Sequence, residues 1–211
     1  IWPQGGERSA PKEPPENLHW DLWLGVAPER PYGDNYHPFA WRGWWDFGTV
    51  ALGDMACHTM NMPYMGLDLR DPVAVQAETS GHNKDSYPVW SLITYEFPAN
   101  DSRSALKMIW YDGGDKLPLE KRGYRDLIEK DLLDKDDQGN PQFSGSGSLI
   151  IGEKGQIYSP HDYGASYKLS KSIEKPNVEF PTSPGHFREW VLAIRGGKPA
   201  MSNFPDYASS L

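Results

Sequence analysis

The chain has 211 residues with 38% hydrophobic residues, 19 prolines and 21 glycines, a length and composition that suit one sizeable domain with many loops. Its net charge of −8, without a basic block, argues against nucleic acid as a partner, and no apolar run approaches the roughly 20 residues that cross a bilayer. The single cysteine, Cys57, excludes an internal disulfide framework.

The N-terminal part of the chain is rich in proline and aromatic residues. Residues 1–19 are polar and proline-rich, so we expect an extended arm rather than part of the core. Further prolines up to position 38 exclude long regular elements from the next stretch. From Thr49 to about Met62 apolar residues recur at helical spacing, which predicts a helix. Gly53 loosens this helix and would let another backbone or a ligand approach closely.

The middle of the chain changes to a strand-like pattern. Segments 72–81, 87–98 and 104–114 contain β-branched and aromatic residues separated by turn residues, which predicts successive antiparallel strands. A short helix fits residues 124–133. Residues 147–160 then predict two strands joined by a glycine-containing turn.

The last predicted element is an amphipathic helix that Ser183 would cap and Gly196 would end. Its apolar face would consist of Phe187, Trp190, Val191 and Ile194. The order of elements predicts an α+β domain over residues 20–211, built on one open, mostly antiparallel sheet with helices on one face. The other face would be free to bind a second subunit or a second domain.

Asp54 and His58 stand four residues apart in the predicted helix, and this spacing places two side chains on the same helical face. Histidine titrates near neutral pH, so such a pair can act as a general acid/base with its orienting carboxylate. Two alternatives stay open. One is a buried histidine held by a helical aspartate or by a cap, and the other is a metal site with further ligands such as His19, His37 or His82.

Five of the nine tryptophans, at positions 20, 23, 41, 44 and 45, lie in the segment from residue 20 to the start of this helix. Together with Tyr36, His37 and Arg42, they could form a wall on which the C–H faces of a sugar lie while its hydroxyl groups bond to polar side chains. Alternatively, the tryptophans fill a core that is short of aliphatic residues. Both uses stay open for individual rings.

Three stretches resemble a known family. Residues 20–67, "WDLWLGVAPERPYGDNYHPFAWRGWWDFGTVALGDMACHTMNMPYMGL", resemble the C-terminal domain of bacterial-type members of the Gfo/Idh/MocA oxidoreductase family, relatives of glucose–fructose oxidoreductase and inositol dehydrogenase. The segments "GSLIIGEKGQI" and "HFREWVLAIRGGKPAMSNFPDYASSL" resemble the later part of that domain.

The resemblance implies an N-terminal Rossmann domain that binds NAD or NADP, a sugar or polyol substrate between the two domains, and a homo-oligomer formed through the sheet face. By position, His58 would exchange the proton of the hydroxyl that is oxidised, and Asp54 would orient His58 or contact a neighbouring hydroxyl. The implied substrate-binding residues are Tyr36, His37, Trp41, Arg42 and Trp44.

The sequence also departs from the family pattern. It contains no G-x-G-x-x-G fingerprint for a dinucleotide, and "GSGS" at 145–148 precedes a predicted strand instead of opening a helix. We therefore expect a piece of a longer enzyme, cut at both ends, that binds no cofactor and does not turn over alone. A non-redox use of the scaffold, and a non-catalytic carbohydrate-binding or assembly module, stay open. So does the compartment, cytoplasmic or exported.

Overall fold

The computed structural model describes residues 4–211 as a set of short helices and antiparallel strands. The α-helices of this part of the chain are Trp20–Leu24 (α1), Val50–Thr59 (α2), Asn61–Gly66 (α3), Tyr124–Leu127 (α4) and His186–Ile194 (α5). The strands are Ala74–Thr79 (β1), Ser91–Phe97 (β2), Leu106–Tyr111 (β3), Asp134–Lys135 (β4), Pro141–Gln142 (β5), Ser148–Gly152 (β6), Gly155–Ser159 (β7) and Lys168–Leu169 (β8). Short 3₁₀ turns and a π-helical turn, Phe204–Ala208, complete the regular structure.

The α+β class and the antiparallel pairing are confirmed, but the strands form three small sheets rather than one. The first sheet has the order β1-β2-β3, the second pairs β4 with β5, and the third has the order β6-β7-β8. The third sheet packs on its own buried cluster, which contains Ile128, Leu132, Leu133 and Tyr158. Because the first and third sheets are packed on different buried clusters, their strands need not join into one sheet.

Helices α2 and α3 cover one face of the first sheet. Ala51 and Ala56 of α2 pack against Ile93 and Trp110, which stand opposite each other on β2 and β3. Tyr64 of α3 belongs to a neighbouring cluster with Phe97, Leu69 and Tyr207. The small alanine side chains let α2 approach the sheet closely, which places its other face toward solvent.

The predicted helix over 49–62 is found as two helices, α2 and α3, with Met60 between them. Pro63 has no backbone N–H, so it cannot donate to the carbonyl of Thr59 and the regular helix must break. The new helix starts at Asn61, which puts Pro63 in its first turn, where backbone N–H groups lack intrahelical partners anyway. The hydroxyl of Ser148 donates to the Thr59 carbonyl that Pro63 leaves free.

The two later predicted helices also differ in their bounds. The helix predicted at 124–133 is shorter because the Gln156 side chain bonds the backbone where α4 ends. It donates to the Leu127 carbonyl (2.7 Å) and accepts from the Glu129 amide (3.0 Å). The prediction that Ser183 caps the last helix is wrong, since α5 begins after Gly185. Ser183 instead accepts from the Gly185 amide and bonds Glu189.

A buried carboxylate, Asp112, ties the N-terminal segment to the first sheet. It accepts hydrogen bonds from the side chain of Gln4 (3.0 Å), from the amide (2.6 Å) and hydroxyl (2.5 Å) of Ser91, and from Nε1 of Trp110 (2.8 Å). Residues 4–19 contain no helix or strand and run beside this point. A buried charge is tolerated only when donors surround it, so all of these groups depend on Asp112.

Replacing Asp112 by alanine leaves four buried donors without their shared acceptor. We expect Asp112→Ala to lower the free energy of unfolding by about 3 kcal/mol, measured by urea denaturation of the full chain. Asp115→Ala is the matched control, because the Asp115 side chain is 98% exposed and its loss should change stability by only about 0.5 kcal/mol. Equal losses in the two variants would contradict this account.

Aromatic rings form the core between α1 and α2. Trp20 stacks on Trp23 (4.8 Å between ring centroids, 12°), and Tyr36 contacts Trp20, Trp44 and Phe47 at 5.2–5.8 Å. The indole N–H of Trp44 donates to the Asn35 carbonyl (2.7 Å). These contacts bury large rings in a segment that has few aliphatic residues.

Trp44 and Trp45 are neighbours in sequence but occupy opposite environments, since Trp44 is 4% exposed and Trp45 is 56% exposed. We expect Trp44→Ala to lower the free energy of unfolding by about 3–5 kcal/mol, because it leaves a cavity in the aromatic core. Trp45→Ala loses surface stacks on Tyr87 and His82, so the expected loss is about 1 kcal/mol or less. Calorimetric or denaturant unfolding of both variants measures the difference, and similar losses would place Trp44 outside the core.

Candidate active site

Helix α2 presents Asp54 and His58 together. The residues on its sheet side, Ala51 and Ala56, are buried, whereas Asp54 is half-buried and His58 is exposed. Residues four apart lie one above the other on a helix, so the two polar side chains share one accessible surface. The alternative of a buried histidine held by a helical aspartate is thereby excluded for His58.

The chain enters α2 through a constrained turn. A Cβ on Gly48 would lie 2.5–2.8 Å from the backbone of Arg42, so only glycine lets the two segments approach this closely. The first helical residue, Val50, has φ 46°, a left-handed conformation that a β-branched residue rarely adopts. Such strain costs on the order of 1–3 kcal/mol and persists only where the surrounding packing enforces it.

Gly53 is exposed on α2, and the Thr49 side chain approaches it closely. A Cβ at this position would lie 2.3 Å from Cβ of Thr49, in the preceding turn of the chain. The expected close approach is therefore made by Thr49. The helix surface beside Asp54 is shaped locally by these two residues.

Arg42 joins the aromatic run to the helix. Its Nε lies 3.8 Å from Oδ2 of Asp54, and its guanidinium lies 4.4 Å from the ring centroid of Trp41 and 4.6 Å from that of Phe39. Stacking on two rings holds the planar cation in place, so its charge remains beside the Asp54 carboxylate. The result is a polar and aromatic surface next to the acid/base candidate.

His58 meets a residue that the sequence analysis did not single out. The ring of Tyr163 approaches the His58 imidazole edge-on, with 5.0 Å between centroids and 63° between planes. Tyr163 comes from the turn after β7, far along the chain. No local spacing could have predicted this contact, because it depends on how the third sheet is placed against α2.

The predicted substrate-binding residues divide into two groups. His37, Trp41 and Arg42 are exposed or half-buried and accessible from solvent. Tyr36 and Trp44 are 2% and 4% exposed and lie in the aromatic core. Those two rings are therefore part of the packing, and only the other three side chains are accessible to a substrate.

Two open cavities of about 540 and 330 Å³ lie elsewhere, one along Ser166–Lys171 and one beside the start of α5. Neither cavity is lined by Asp54, His58 or Arg42. Among residues 4–211, no three His, Cys, Asp or Glu side chains converge in a way that could hold a metal ion. None of the described helices combines the length and apolar character that a bilayer crossing demands.

The residues of this chain do not form a dinucleotide cradle at "GSGS". The hydroxyl of Ser146 donates to Asp162, and that of Ser148 donates to the Thr59 carbonyl at the end of α2. These groups are therefore engaged in joining the third sheet to the helices. The stretch also leads into strand β6, whereas phosphate cradles of this kind lead into the N-terminus of a helix.

Residues 1–114 match the model of the oxidoreductase-family C-terminal alpha/beta domain of the Gfo/Idh/MocA group, a range that runs through β3 and includes every residue predicted for the site. No curated protein matches the chain. The resemblance of the segments beyond residue 114 stays a prediction. On the matched half of its length, the chain belongs to the Gfo/Idh/MocA oxidoreductase family as a C-terminal α/β domain.

Proposed function

We propose that this chain is the substrate-side domain of an NAD(P)-dependent oxidoreductase that acts on a hydroxyl group of a sugar or polyol. The observation that carries the proposal is the exposed His58 beside Asp54 on α2, with Arg42 and its stacked rings adjoining. Membership of an oxidoreductase family as a C-terminal domain supports this reading and implies a partner domain on the N-terminal side.

In this proposal His58 moves the proton. Oxidation of an alcohol breaks the O–H bond and the C–H bond of one carbon, and it leaves a carbonyl group. The hydroxyl proton passes to the imidazole of His58, which is accessible from solvent and can later release it. A nicotinamide held by the N-terminal domain supplies the acceptor for the hydride.

Asp54 has a different role from His58 in this proposal. Its carboxylate lies beside the Arg42 guanidinium, and that contact points to a role in binding a neighbouring substrate hydroxyl. A carboxylate and a guanidinium side by side offer both acceptor and donor groups to a polyhydroxylated molecule. The rings of Trp41 and Phe39 would then face the C–H side of the sugar, and His37 stands on the same exposed segment.

His58→Ala in the full-length protein should lower kcat by roughly 10²–10⁴-fold, the loss typical of a missing general acid/base, with the affinity for nicotinamide cofactor little changed. His186→Ala is the matched control, because it removes a histidine at the start of α5. Turnover is followed by the absorbance of reduced nicotinamide with D-glucose and myo-inositol as probes.

A His58→Ala variant with unimpaired turnover would remove His58 from the mechanism. A wild type that takes up neither NAD nor NADP would favour the carbohydrate-binding module.

We also propose that the chain forms a homo-oligomer through the free face of the first sheet. Ile93 and Tyr95 point toward the helices, so Thr94 and the half-exposed Ile109 opposite it point away from them. An ion pair between Lys107 and Glu96 (2.9 Å) lies on the same free face. Apolar residues edged by charges are typical of a protein–protein interface.

Sedimentation velocity of the full chain should show a dimer or a larger species, and Ile109→Lys should shift it to monomer by placing an unpaired charge in the interface. Ile151→Lys is the matched control, since Ile151 is exposed on the third sheet. A wild-type chain that stays monomeric at high concentration would count against this interface.

A further inference from the structure

We propose that Tyr163, in the turn after β7, is a positioning residue for His58 and closes one side of the same site. The inference rests on the proposed function, because it assigns Tyr163 a role in the proton transfer that His58 would perform. Tyr163 is 69% exposed, yet its ring edge meets the His58 imidazole at 5.0 Å between centroids. An exposed ring in contact with the candidate acid/base borders the space that a substrate would occupy.

The turn that carries Tyr163 is hydrogen-bonded to helix α2 next to the place where Tyr163 contacts His58. The Asp162 carboxylate accepts a hydrogen bond from the Thr59 hydroxyl (3.2 Å) and a second one from the Ser146 hydroxyl. Thr59 follows His58 on α2, and Asp162 precedes Tyr163 in the turn. The two anchoring residues are therefore the direct neighbours of the two rings, so the ring contact follows from the anchor.

The flanks of the turn are fixed as well. The Ser144 hydroxyl donates to the Pro160 carbonyl, and the Ser159 hydroxyl donates to the Ser166 carbonyl (2.9 Å). Gly164 has φ 60° and passes close to Met62 of α3. A segment held at both ends loses little further entropy when it binds a ligand, which is what a preorganised site requires.

The contact has a chemical consequence for the histidine. Edge-to-face packing holds the plane of an aromatic ring in a defined direction. A fixed imidazole keeps one nitrogen directed at the substrate hydroxyl, and small misplacements of a catalytic group are costly for the rate. Because Tyr163 is otherwise largely exposed, its side chain is also available to the substrate itself.

The test uses the full-length protein with two variants at one position. Tyr163→Leu removes the ring, and we expect kcat to fall by roughly tenfold to a hundredfold. Tyr163→Phe keeps the ring, so kcat should stay near the wild-type value while KM rises through loss of the hydroxyl. Tyr167→Leu removes another exposed tyrosine of the same segment and serves as the control. Because both tyrosines are exposed, all of these variants should fold.

A second readout is independent of turnover. The ring signals of His58 in histidine-labelled protein are identified by their loss in His58→Gln. Tyr163→Leu should shift these signals by removing the neighbouring ring current, whereas Tyr167→Leu should not.

Unmoved His58 signals in Tyr163→Leu overturn the inference, and so does an active wild type whose kcat and KM are unchanged by that substitution. An inactive wild type rejects the proposed function instead, and the NMR comparison then still decides whether Tyr163 positions His58.

Discussion

The junction at Thr59 is the constraint on which the arrangement of the site depends. Pro63 cannot donate to the Thr59 carbonyl, so the helix breaks and Ser148 takes that carbonyl as its acceptor. The Thr59 hydroxyl bonds Asp162 of the turn after β7. Thr59 thus connects the helix that carries His58 with the third sheet. Its carbonyl bonds Ser148 of β6, and its hydroxyl bonds Asp162 in the turn after β7. A continuous helix would satisfy the carbonyl internally and would lose this link.

The aromatic residues before α2 serve two purposes that their sequence does not distinguish. Tyr36 and Trp44 are buried in a core where Tyr36 contacts three other rings, while Trp41 stacks with Arg42 on the accessible side. The core rings pack on one another, and the accessible Arg42 places a guanidinium beside Asp54. Packing and recognition are therefore built from one stretch.

Much of the fold could be predicted because its patterns are local. The three strands of the first sheet, the hairpin of β6 and β7 and the helix before Gly196 follow from alternation, turn residues and helical spacing. The number of sheets could not be predicted, because it depends on which apolar clusters pack together. The end of α4 likewise depends on Gln156, a side chain from a distant strand that bonds its backbone.

The sequence by itself determined the family, the α+β class and the pairing of Asp54 with His58 on one helical face, since spacing along a helix is a local property. Only the tertiary structure decided which rings are buried, that Arg42 lies beside Asp54 and that Tyr163 meets His58. Those contacts join residues from separate segments, and their geometry is set by the packing of α2 against the first sheet and of the third sheet against Thr59. A pattern within one segment carries no information about such distances.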